Sequence, residues 1–143
     1  TICLVGSEMC IRDRLKLLTN IYEFILIEGN HDKNIMYEIP SYKILRLNDI
    51  EFIHEAIVDD RHQISGHYHP TLSVKLNGKR VTEKCILQTE RKLILPSFGK
   101  YTGGLSINNK IFKPYLKSGF NAYICNEKNV YKFSSSDLKK NVK

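Results

Sequence analysis

No apolar run in this sequence approaches the roughly 20 residues that a membrane-spanning helix requires, so composition gives no argument for a span. No secretory signal is visible either, which excludes little if the natural N-terminus lies upstream. Cysteine is scarce and without CxxC spacing, so no disulfide framework is expected and a reducing compartment is the default. Internal repeats are absent, and the only low-complexity stretch is the SSS of residues 134–136. The 143 residues suffice for one domain with a proper core and fall short of two.

What is present begins with a segment to set aside. Residues 4–13 read LVGSEMCIRD, which CTC GTG GGC TCG GAG ATG TGT ATA AGA GAC encodes, a string that looks like a transposase sequencing adapter. A buried strand, ICLVG, is the alternative, and the unbroken run of matching codons favours the adapter. Residues 1–14 are therefore kept out of the fold reasoning, and the natural sequence is expected to begin near Leu15, already inside a domain. That domain would run over 15–133, followed by a basic tail, 134–143, expected to be disordered. The discarded segment holds Cys3 and Cys10, which leaves only Cys85 and Cys125, both read as small, at least half-buried residues. Its charges cancel, so the net charge of +7 survives its removal. Such a balance suits a phosphate-bearing partner, although many housekeeping domains are as basic.

The periodicity is that of strands. After a helix end over 15–20, the run YEFILIE (22–28) is apolar and β-rich and stops at Gly29. Further strands are expected over 42–47, 51–55, 63–65 and 71–76, the last with Leu72, Val74 and Leu76 on one face. Asn77-Gly78 marks a hairpin whose return strand covers 80–88. LILP leads into the loop SFGKYTGG, residues 111–117 suit a helical turn or two, and 122–125 should pair with 130–133 across NEKN.

Three histidine-bearing segments each come at or just after a predicted strand: Asn30-His31-Asp32, His54, and His67-Tyr68-His69 within GHYHP. Ligands gather at the carboxyl ends of strands in open α/β sheets, so one shared site is geometrically reasonable. In an extended segment, residues i and i+2 project together, which would let His67 and His69 chelate one ion or two neighbouring ions. Gly66 is expected to supply a close backbone approach or an unusual φ, and Pro70 to stiffen the exit. GNHD offers an amide oxygen, an imidazole and a carboxylate in one tight loop, although it would serve equally as an ordinary Asn/Asp turn. His62 is at no motif position, and Tyr68 should point away from its histidine neighbours into the core or a pocket wall. Thr102-Gly103-Gly104 could approach a phosphate or simply turn the chain.

GNHD, then a single histidine, then GHxH resembles the second half of the calcineurin-like metallophosphoesterase signature. SGHYHP, LILPSFGKYTGG and IFKPYLKSGFNAYIC narrow the resemblance to the ligase-associated DNA damage response (PdeM-type) metallophosphoesterases, over most of 15–133. The resemblance implies an α/β fold, the strand-rich C-terminal part of a four-layer α/β/β/α sandwich. It implies two divalent metal ions, manganese foremost with iron or zinc as alternatives, bound by Asn30, His54, His67 and His69. His31 would act on the leaving group or transition state with Asp32 behind it. The implied activity is phosphodiester hydrolysis of DNA, as an endonuclease of DNA repair in the cytoplasm, by hydroxide held on the metals. A functional link to a DNA ligase or helicase system and the absence of a membrane role are implied with it.

The family's upstream Asp-x-His pair and Gly-Asp segment are missing ahead of GNHD. Without a bridging carboxylate two close cations repel each other, so the chain as given is expected to bind at most one metal weakly and to hydrolyse little. Two other functions stay open: a non-catalytic phosphate- or nucleic-acid-binding module, and a phosphoesterase for cyclic nucleotides or small phosphate esters.

Overall fold

The computed structural model describes residues 16–30, 39–76, 78–99, 101–125 and 128–140. Two compact units divide between Lys43 and Ile44. In the first, residues 16–19 are helical, and Thr19 Oγ1 donates to the Lys16 carbonyl at 2.9 Å. The apolar run of 22–28 pairs only near its end, where β1 (Leu26–Ile27) lies parallel to β2 (Ser41–Tyr42). The expected strand over 42–47 is therefore two strands, since the chain bends at Lys43 and continues as β3 in the second unit.

The second unit runs through β3 (Ile44–Leu47), β4 (Ile50–Ile53), β5 (His62–Ser65), β6 (Pro70–Leu76), β7 (Lys79–Lys84), β8 (Ile86–Gln88), β9 (Lys92–Ile94), β10 (Leu105–Ser106), β11 (Asn121–Cys125) and β12 (Val130–Ser134). They form a mixed seven-stranded sheet, β12-β11-β8-β9-β5-β4-β3, and a three-stranded sheet, β10-β6-β7. The unit is strand-rich, with little helix among the described residues. No helix among them is long and apolar enough to cross a membrane.

The alternation along β6 works as expected. Leu72 and Val74 are buried while Ser73 and Lys75 face out, and the hairpin to β7 closes with Leu76 opposite Lys79 and Gly78 at φ 79°. The return strand, however, is not continuous over 80–88. At Cys85 it leaves β6 and enters the larger sheet, where β8 pairs with β9 and β11. Cys85 is itself buried, its N–H donating to the Pro70 carbonyl at 3.0 Å. Leu72 and Val74 from one sheet meet Leu87, Ile94, Ala122 and Ile124 from the other in a single core, held by the removal of their apolar surface from water. Phe112, fully buried, joins it from a 3₁₀ turn, Lys110–Phe112, whose first turn is capped by the Asn109 side chain accepting from Ile111 N–H.

β11 and β12 pair as the sequence implies, Cys125 opposite Val130. Cys125 is exposed, contrary to expectation, because it closes the last turn of an edge hairpin. Ser135–Lys140, assigned above to a disordered tail, forms a short helix. Leu138 packs on the core, and Asp137 accepts from the Ser134 N–H at 3.0 Å.

Across β4, β5 and β9 runs a row of polar residues in register, Glu51, Gln63 and Lys92, each buried. Burial of such groups is tolerable only when they are partnered. Gln63 donates to Glu51 at 3.2 Å and accepts from Ile57 N–H at 3.0 Å, Lys92 Nζ reaches Asp59 at 2.7 Å, and Arg61 bridges Glu51 and Asp59. This lattice locks the amino-terminal ends of the parallel strands. It leaves their carboxyl ends to present the histidines.

Candidate functional site

β4 and β5 are parallel neighbours that end level, Ile53 opposite Ser65. The next residues of each strand are therefore delivered side by side, and Gly66 N–H donates to the His54 carbonyl at 3.0 Å. This brings His54 and His67 together. Nε2 of His54 lies 3.0 Å from Nδ1 of His67, with the rings edge to face at 4.9 Å. One nitrogen donates and the other accepts, so a single proton is shared across the pair.

Behind His67 stands a carboxylate that the sequence reading passed over. Glu55 Oε2 lies 3.9 Å from His67 Nε2, and Glu55 Oε1 accepts from the Tyr68 hydroxyl at 2.7 Å. Tyr68 is buried against Phe112 and Tyr115, but it does not turn away from both histidines as expected: its ring meets that of His67 edge to face at 5.0 Å, because the segment is not extended and its side chains do not alternate. Burial first, then the bond to Glu55, hold its phenol well above the usual range. Tyr68 is thus a fixed donor that orients Glu55, and Glu55 faces the outer nitrogen of His67. Adjacency to His54 was the only signal in the sequence that Glu55 belongs here.

GHYHP is a turn and not an extended segment. His67 and His69 both have positive φ, 54° and 46°, a region that histidine enters more readily than most residues but at a cost. The i, i+2 rule for strands therefore does not apply, and among the described residues no three His, Cys, Asp or Glu side chains converge on one point. Gly66 supplies neither of its expected services: its φ is not in the left-handed region, and a Cβ there would meet nothing within 4 Å. The positive φ has moved to the histidines.

Their unusual backbone is held from outside. The loop after β9 starts with Leu95 N–H donating to Ser65 O at 2.7 Å and ends with Leu105 N–H shared between Tyr68 O and His69 O at 3.3 and 3.1 Å. Both ends are thus pinned to the histidine turn. Gly104 lies against it so tightly that an added Cβ would press into the His69 carbonyl oxygen and stand 2.8 Å from Thr71 Cγ2. Of the two readings of Thr102-Gly103-Gly104, the structure supports the structural one at Gly104. The interior of the loop is tied by Ser97 Oγ to Thr102 O at 3.3 Å and by Lys84 Nζ, which donates to the carbonyls of Ser97 and Gly99.

The remaining expectations fall elsewhere. Asn30 occupies an exposed turn after β1 in the first unit. His31 and Asp32 lie outside the described residues. His62 is exposed at the start of β5, the end opposite to His67.

No family model matches the chain, and no curated protein matches it. Among solved structures it is similar to the nuclease MPE of Pseudomonas putida, with a TM-score of 0.62 at 20% sequence identity, over 87% of this chain and 61% of the nuclease. The two share a fold. The chain spans less than two thirds of that nuclease's length, and at this identity the likeness lies in the course of the backbone.

Two observations bear on whether the site suits a metal ion. Imidazole nitrogens 3.0 Å apart can each stand about 2.1 Å from one ion while subtending roughly a right angle. Ser65 Oγ, on the last residue of β5, is buried with no hydrogen-bond partner among the described residues, an arrangement that calls for a water or an ion. The two imidazoles fit part of a coordination shell for manganese, iron or zinc.

Proposed function

We propose that this chain is the C-terminal part of a metal-dependent phosphoesterase acting on nucleic acid, within a four-layer α/β/β/α sandwich. The observation that carries the reading is the approach of His54 and His67, with ring nitrogens 3.0 Å apart at the carboxyl ends of adjacent parallel strands. His54 and His67 would hold one divalent cation, and His69 would serve the other. The ions supply activation of water and neutralisation of charge on the phosphoryl oxygens. Glu55, anchored by Tyr68, keeps the His67 ring turned to its ligand, as outer carboxylates do in histidine sites. His31 gives a proton to the departing oxygen, with Asp32 orienting its imidazole. In this chain the site is half furnished, so its hydrolysis is negligible.

A second reading, a non-catalytic binding module, is favoured by the lack of any three-donor cluster among the described residues. Titration with manganese by calorimetry separates the two. We expect at most one equivalent, bound weakly, with His54→Ala and His67→Ala each removing it and His62→Ala leaving it intact. Binding that ignores His54 and His67 favours the module, and tight binding of two equivalents refutes the half-furnished site.

A further inference from the structure

β6 has a neighbour on each edge, but not along its whole length. Pro70 faces β7, its carbonyl accepting from Cys85 N–H at 3.0 Å, and Thr71 faces β10, its carbonyl accepting from Ile107 N–H at 3.0 Å. Main-chain groups alternate between the two edges of a strand, so those of Ser73 and Lys75 point to the β10 side. β10 pairs only with Pro70 and Thr71, and after Ile107 the chain turns away, Asn109 N–H donating to Ser106 O at 2.8 Å. Beyond Thr71, no described strand covers that edge of β6. The open edge borders a hollow of about 270 Å³, lined by Ser73, Lys75 and Arg80 together with Ile107, Asn108 and Leu138. Lys75 and Arg80 are exposed register partners on β6 and β7. They share the narrow pairing of Ser73 and Thr82, whose hydroxyls stand 2.6 Å apart. Like charges set opposite each other are destabilising. Among the described residues neither cation has a carboxylate partner, and no acidic side chain lines the hollow.

We propose that this edge of β6 docks an extended, acidic segment of a partner protein, which continues the small sheet where β10 leaves off. Three features favour this occupant. The main-chain donors and acceptors of Ser73 and Lys75 match those of a polypeptide in extended conformation, and strand addition draws its affinity from such bonds. The open length takes about four residues. Side chains of an added strand alternate in direction, so acidic ones can meet Lys75 and Arg80 while an apolar one enters the hollow against Ile107 and Leu138. A carboxylate there also relieves the opposition of the two cations. A lone lysine on an edge commonly wards off pairing, whereas two facing cations beside a hollow set a charge requirement on what pairs. The phosphates of a nucleic acid could satisfy the cations but would leave the strand edge unpaired. The proposal stands apart from the phosphoesterase reading and uses none of its residues.

The test is binding of a fluorescein-labelled peptide that alternates glutamate with valine to the full chain, followed by anisotropy in EDTA. Lys75→Glu and Arg80→Glu should each weaken binding about tenfold, and a peptide alternating lysine with valine should bind the double variant better than wild type. Both positions are exposed, so circular dichroism should show the variants folded. The glutamate peptide with its backbone amides methylated should lose binding to the unaltered protein, and the unmethylated peptide should slow deuterium exchange at the Ser73 and Lys75 amides. Undiminished binding of the methylated peptide would reduce the contact to charge alone and overturn the proposal. So would no binding at all, or affinity indifferent to both glutamate substitutions, which would leave the two cations as guards of an edge. Displacement of the peptide by oligothymidylate, abolished by the same two substitutions, would overturn it in favour of nucleic acid as the occupant.

Discussion

The α-carbon of Gly104 is packed against the carbonyl of His69, with Leu105 N–H bonding the same oxygen at 3.1 Å. A turn carrying two positive-φ histidines is thereby held by a glycine some thirty-five residues downstream. Gly104→Ala should accordingly destabilise the protein by about 1–3 kcal/mol, the usual cost of forcing a methyl into filled space. Gly66→Ala should lie within about 0.5 kcal/mol of wild type, since its added methyl meets nothing. Urea unfolding of both variants checks this, and the reverse order would show that the glycine of GHYHP, and not that of the downstream loop, shapes the turn.

Acid should loosen the lattice around Asp59. The hydrogen bond from Lys92, aided by Arg61 and opposed by burial, lowers its carboxyl from 3.8 to about 2. A depressed folded-state value means that the contribution is complete above the unfolded value and drains away as pH falls from about 4 toward 2. Glu51, lowered first by its bond to Arg46, shifts in the same sense. Melting temperature followed through that window should fall more steeply for wild type than for Asp59→Asn. Parallel slopes would remove Asp59 from the account.

The two cysteines should part company on alkylation. Burial pushes the Cys85 thiol up to about 12, and only the thiolate reacts readily, whereas Cys125 is exposed. Peptide mapping after brief iodoacetamide treatment should find Cys125 modified and Cys85 protected until denaturant is added. Early modification of Cys85 would contradict its place in the core.

Local order was legible in the sequence and contextual order was not. The alternation of Leu72, Ser73, Val74 and Lys75 fixes a face because side chains alternate whatever the partner strand, and Asn77-Gly78 names its own turn. The pairing of His54 with His67 was within reach as well, since both follow strands and share a fold-level destination. Nothing local announces that His67 and His69 adopt positive φ, because that conformation is imposed by bonds from Leu105 and by the space that Gly104 leaves. Glutamine and lysine are residue types usually found at the surface, and only strand register sets Gln63 between Glu51 and Lys92 in the interior. Glu55 was marked only by standing next to His54, since its role depends on a tyrosine thirteen positions away.

The strand switch at Cys85 carries one more consequence. Because a single buried residue is the last of one sheet and the threshold of the other, neither sheet can fray past it without opening the shared core. The hairpin of β6 and β7 and the central strands β8 and β9 should then exchange their amide hydrogens as one cooperative block, and the histidine turn, flanked by β5 and β6, inherits the rigidity of that block.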